Sequence, residues 1–180
     1  TPARRTASAT ELSKMVGKLR LYQEYDALKR AAVFAFAHLE DSDSFEADAR
    51  LFAALDDDGD GLVTPIDVSK ACVEADIPPP GDLRSLMEGA DVDGLGALDR
   101  TNFLAVVLDL SVCAVGTPCR IAFKMLCKQG ENKVSEQDMR QVVPECTSAV
   151  QADAIARAVS TSEDGSISFD DFMSMIQAGL

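Results

Sequence analysis

Asp56-Asp57-Asp58-Gly59-Asp60-Gly61-Leu62-Val63-Thr64-Pro65-Ile66-Asp67 is the stretch on which the fold turns. Asp56, Asp58 and Asp60 alternate, so their short carboxylates can converge on one point. Gly61 admits the sharp turn that a side chain would strain. Leu62, Thr64 and Asp67 complete the same twelve residues. Oxygen donors gathered in this way suit a hard divalent cation. Thr64 is also a good cap and Pro65 suits a first helical position, where no backbone donor is lost, so a helix is expected to start there.

Working outward, the pattern recurs. Asp91-Val92-Asp93-Gly94-Leu95-Gly96-Ala97 is an echo, and weaker ones begin at Cys127 and Ser160. The eighth residue of each twelve is apolar: Val63, Leu98, Val134 and Ile167. So is the residue that follows each twelve: Val68, Phe103, Met139 and Phe172. Phe52, Met87, Phe123 and Ala156 stand four residues before the starts. The flanks have helical periodicity, and each repeat is expected to be helix, loop, helix. Val63 should pair with Leu98 in a short β-bridge.

On these residues Asp56–Asp67 resembles an EF-hand calcium loop, and the four repeats resemble a calmodulin-type protein. The resemblance implies an all-α fold of four EF-hand units in two lobes, hands one and two in 41–112 and three and four in 113–180, after a leading segment 1–40. The ligand set expected in the first loop is Asp56, Asp58, Asp60, Leu62 and Asp67. Asp67 is one methylene shorter than the usual closing Glu, which lowers calcium affinity and leaves magnesium open as the ion there. The second loop keeps Asp91 and Asp93 but has Leu95 where an oxygen is needed and Asn102 at the close. The third has Cys127 and Gln129 at ligand positions and Asn132 in place of the turn glycine. The fourth has Asp164 and Asp171 as its carboxylates. Weak binding or a purely structural role stays open for these three loops, and Cys127 is either a reactive thiol or a buried inert one. Pro78-Pro79-Pro80-Gly81 separates the first two hands, and Ser111–Pro118 reads as the connector between lobes.

Charge is unevenly placed. Residues 1–30 carry seven basic and three acidic groups, a net +4, and the rest of the chain is −17. Residues from about 11 to 39 contain no proline, and Leu21, Tyr25, Leu28, Ala32, Phe36 and Leu39 fall on one helical face. A long basic amphipathic helix is therefore expected. Three uses of it stay open: filling the groove of an acidic lobe, capping the first lobe, or touching an anionic membrane. It could also swap to a second copy and give a dimer.

A chain of net charge −13 lacks the basic face that nucleic acid requires. One histidine, His38, excludes a multi-His zinc site. Five cysteines, odd in number and without CxxC spacing, fit free thiols in a reducing, cytoplasmic setting. No apolar run is long enough for a bilayer or a signal peptide. The first residue is Thr, and a processed product or a piece of something longer is expected.

Leu28-Lys29-Arg30-Ala31-Ala32-Val33-Phe34-Ala35-Phe36-Ala37-His38-Leu39, just ahead of the first loop, resembles the junction of calcium-dependent protein kinases of plants and alveolate parasites. That resemblance covers about residues 12–177. It implies a regulatory module in which the junction, through Leu21, Tyr25, Leu28, Phe36 and Leu39, restrains an upstream kinase domain until calcium makes the lobes grip it. The catalytic motifs of a kinase, His-Arg-Asp and Asp-Phe-Gly, are absent from this sequence. A stand-alone light chain that clamps a partner's helix largely without calcium is the alternative.

Overall fold

In the computed structural model the elements run α1 (Ala9–Gln23), α2 (Ala27–Ala37), α3 (Glu46–Leu55), β1 (Leu62–Val63), α4 (Pro65–Glu74), α5 (Leu83–Glu88), β2 (Leu98–Asp99), α6 (Arg100–Val107), α7 (Leu110–Cys113), α8 (Thr117–Leu126), β3 (Lys133–Val134), α9 (Glu136–Val142), α10 (Ala149–Val159), β4 (Ile167–Ser168) and α11 (Phe169–Gln177). The structure describes residues 6–39, 45–113, 117–128, 130–143 and 146–178. The chain is mostly helical and divides into two compact units, 1–24 with 41–108 and 25–40 with 109–180.

Local chemistry starts most of these helices. Ser8, Thr64, Ser135, Ser148 and Ser168 each accept from the backbone three residues on, and Glu11, Asp67, Asp138, Gln151 and Asp171 reach back to complete a capping box. Each such cap contributes about 1 kcal/mol. Pro65 sits in the first turn of α4, where its missing N–H costs nothing.

In the first unit β1 pairs antiparallel with β2, with Val63 opposite Leu98. That bridge joins two helix–loop–helix segments, α3–α4 and α5–α6. Phe52 meets Phe103 edge-on with ring centroids 5.4 Å apart. α1 lies in the groove so formed and buries Leu12, Met15, Val16, Leu19 and Tyr22. Met15 and Leu19 there line a small apolar gap together with Val63, Met87, Leu98 and Phe103. Each fully buried side chain of this size is worth about 1.5–3 kcal/mol.

The second unit repeats the plan. β3 pairs with β4, Val134 opposite Ile167, joining α8–α9 to α10–α11. Phe123, Phe169 and Phe172 form its aromatic cluster, Phe123 standing 5.3 Å from each of the other two. α2 packs chiefly on α8 and buries Leu28, Ala32, Val33 and Phe36.

The two leading helices are also fixed by lysines in equivalent places. Lys18 Nζ donates to Leu108 O at 3.2 Å, and Leu108 caps the C-terminus of α6, the last helix of the first unit. Lys29 Nζ donates to Ala178 O at 2.6 Å, and Ala178 caps α11, the last helix of the second. A helix C-terminus presents unpaired carbonyls and partial negative charge, so an ammonium is favourable there.

The continuous helix expected over 11–39 is thus two helices. α1 ends on Glu24, and Asp26 turns extended and accepts from Lys29 N to start α2. A short polar side chain three residues before an amide competes with helix continuation and wins here. The expected face fails before the break: Leu21 is 38% exposed, and Tyr22 and Leu19 are buried in its place. After the break it holds, with Leu28 and Phe36 buried, while Tyr25 and Leu39 are half-buried. In the expected connector Ser111–Pro118, residues 111–113 are helical and Thr117-Pro118 open α8; residues 114–116 lie outside the described residues.

Candidate metal centre

The first loop gathers carboxylates as its sequence requires. Asp56 ends α3 as its C-cap, Asp58 and Asp60 lie on the exposed bend, and Asp67 sits in the first turn of α4. One oxygen from each of Asp56, Asp58 and Asp60 lies within 4.8 Å of the other two. The bend is held by main-chain donors: Gly61 N–H to Asp56 Oδ2 at 3.0 Å, Asp60 N–H to Asp58 Oδ1 at 3.2 Å and Leu62 N–H to Asp60 Oδ1 at 2.8 Å. Gly61 has φ +84°, the left-handed conformation for which glycine is suited.

Asp56 Oδ1 decides whether a cation fits. It is buried and finds no hydrogen-bond partner among the described residues. A carboxylate oxygen in that state is costly unless something positive sits on it. A divalent cation held by Asp56, Asp58, Asp60 and the Leu62 carbonyl meets that need with oxygen donors alone. Asp67 contributes less. Its Oδ2 accepts from Thr64 N–H at 2.9 Å and from Thr64 Oγ at 2.6 Å, which leaves Oδ1 as the oxygen it can offer.

In the other loops, too, carboxylates are engaged by donors of the chain itself. In the second, Asp91 accepts from Leu95 N–H and Gly96 N–H, and Asp93 Oδ2 accepts from Asn102 Nδ2 at 3.1 Å. Asn102 is 1% exposed, and its Oδ1 is buried with no hydrogen-bond partner among the described residues. In the third, the left-handed residue is Gly130 (φ +75°), two places ahead of the position that Gly61 fills in the first. Burial and the negative charge of Asp138 push the Cys127 thiol up to about 11, away from the thiolate form. Gln129 lies outside the described residues.

In the fourth, Asp164 takes Lys133 Nζ at 2.8 Å together with the amide and hydroxyl of Ser166. The Lys133 ammonium and the Ser166 donors hold that carboxyl well below the usual carboxylate range. Asp171, 5% exposed, accepts from Thr161 N–H and Oγ on one oxygen and from Ser168 N–H and Oγ on the other. Burial pushes its pKa up, but those bonds outweigh burial and the pKa falls below the ordinary value.

On α2, Lys29 is 8% exposed and stands 4.7 Å from the Tyr25 ring centroid. Burial pulls its pKa down, opposed by the Asp26 charge. Sequence reasoning missed the roles of Asn102, Lys133, Lys18 and Lys29. Asn102 stood in view as a departure from the loop pattern. The lysines carried no signal beyond charge.

No protein-family model matches the chain. It is 29% identical over 168 residues to calcium-dependent protein kinase 10 of Arabidopsis thaliana, covering 90% of this chain and 30% of that relative. It is 27% identical over 166 residues to calcium-dependent protein kinase 16 of Oryza sativa subsp. japonica, with the same coverage of both. With calcium-dependent protein kinase 5 of Plasmodium berghei it shares 29% over 133 residues, 73% of this chain and 24% of that one. The chain therefore spans less than a third of the length of these relatives. Along nine-tenths of its own length it is similar to calcium-dependent protein kinases of plants and Plasmodium.

Proposed function

We propose that the chain is the calcium-binding regulatory part of a calcium-dependent protein kinase, built from EF-hand units, with Asp56–Asp67 as its ion site. The observation that carries this reading is the buried, unpartnered Asp56 Oδ1 within a ring of converging carboxylates. The similarity to calcium-dependent protein kinases supports it. A bound calcium ion supplies two positive charges to a site that is otherwise a concentration of negative ones.

The chain's own residues turn that charge balance into movement. Asp56 is fixed to the end of α3 and Asp67 to the start of α4, so drawing their oxygens together sets the angle between those helices. Val63 carries any shift across the β1–β2 bridge to Leu98 and the second segment. Met15 and Leu19 of α1 line the same apolar gap as that pair. The reading implies that the grip on α1 changes with the state of the loop and that an upstream kinase domain feels the change. The switch, the kinase domain as partner and a cytoplasmic setting belong to the proposal. Among the described residues no helix is long and apolar enough to cross a membrane.

Titration calorimetry tests the site. The expected result is one tight calcium ion per chain, lost in Asp56→Ala. Calcium affinity unchanged in that variant would overturn the reading.

A further inference from the structure

In the second unit, side-chain bonds stand where ligands to an ion would stand. Lys133 of β3 reaches across to Asp164 in the neighbouring loop at 2.8 Å, a positive charge that already answers the carboxylate. Asp171 has both oxygens doubly occupied by Thr161 and Ser168. Ser160 Oγ donates to Ser166 O and so closes the same loop from its first position. In the third loop Asp138, 1% exposed, is engaged by Ser135 N–H and Oγ. An ion entering the fourth loop would have to strip these bonds before gaining its own, and the third loop, whose Asp138 is engaged as Asp67 is, lacks the sixth-position turn that the first has.

The same unit holds a basic helix with more than apolar contact. Leu28, Ala32, Val33 and Phe36 of α2 are at most 1% exposed. Lys29 is fixed by the Ala178 carbonyl and the Tyr25 ring. We infer that the second unit is a cation-independent receptor for a basic amphipathic helix, with α2 as its resident occupant, and that divalent ions act on the first unit alone. The inference concerns loops other than Asp56–Asp67 and stands apart from the reading of that site.

Hydrogen exchange by mass spectrometry on the full chain, in millimolar calcium and in chelator, separates the two. The expected result is that peptides covering 27–37 and 160–177 exchange within about twofold of each other in the two conditions, while those covering 56–67 slow with calcium. Slowing of about tenfold or more in 27–37 on adding calcium would overturn the inference and leave the first loop's reading intact. No change anywhere would uphold the second unit's independence of cations but overturn the claim that ions act on the first, and with it the first loop's role. Asp171→Asn adds a second arm: protection of 27–37 should fall by the same factor with and without calcium. A fall seen only in calcium would mean that Asp171 is an ion ligand, against the inference. If that variant does not fold, the comparison on the unaltered chain still decides.

Discussion

Asp67 carries two duties at one carboxylate. One oxygen caps α4 through Thr64, and the other is left for an ion. A single donated oxygen suits the six-coordinate geometry of magnesium better than the roomier shell of calcium. Asp67→Glu adds the missing methylene, and calcium should gain on magnesium by about tenfold. Competition calorimetry checks this, and an unchanged ratio of affinities would count against a cap-limited reach. Cys127 gives a second residue-scale expectation. With its thiol pushed up to about 11 and its side chain buried, it should resist alkylation at pH 8 in the folded chain and react on unfolding. Mass mapping that finds Cys127 among the first sites modified would show that the third loop opens.

At the scale of elements, the break between α1 and α2 depends on Asp26. Asp26→Ala removes the acceptor for Lys29 N and should cost about 1 kcal/mol, read by chemical denaturation and by faster exchange in 27–37. Stability equal to the parent would mean that packing alone ends α1. The capping box of α11 predicts a pH dependence. The folded-state pKa of Asp171 is depressed, so its contribution is complete above the unfolded carboxyl value of about 3.9 and fades as pH falls through the lower folded value. Acid titration by circular dichroism should show a steeper loss for the parent chain than for Asp171→Asn. Equal acid limbs would show that this carboxylate does not drive the transition.

Across the whole molecule, the repeated loop–helix plan was legible because its signals are local. Asp-x-Asp-x-Asp-Gly needs no partner to be recognised, and the apolar eighth positions found each other as Val63 with Leu98 and Val134 with Ile167. The division of the leading segment was not legible in the same way. Periodicity favoured Leu21 and Tyr25, whereas the groove of the first unit selects Leu19 and Tyr22, a choice made by tertiary contact. Asn102 could be seen only as a departure from a pattern, and Lys133 only as a charge. That they reach Asp93 and Asp164 depends on where the fold brings those carboxylates.

The lysine contacts at the ends of α6 and α11 set a rule of admission. A foreign helix entering the first groove without an ammonium in the register of Lys18 would leave the Leu108 carbonyl without the donor it has now. Oily surface alone therefore does not qualify an intruder, and each groove discriminates by the spacing between its greasy contacts and one well-placed amine.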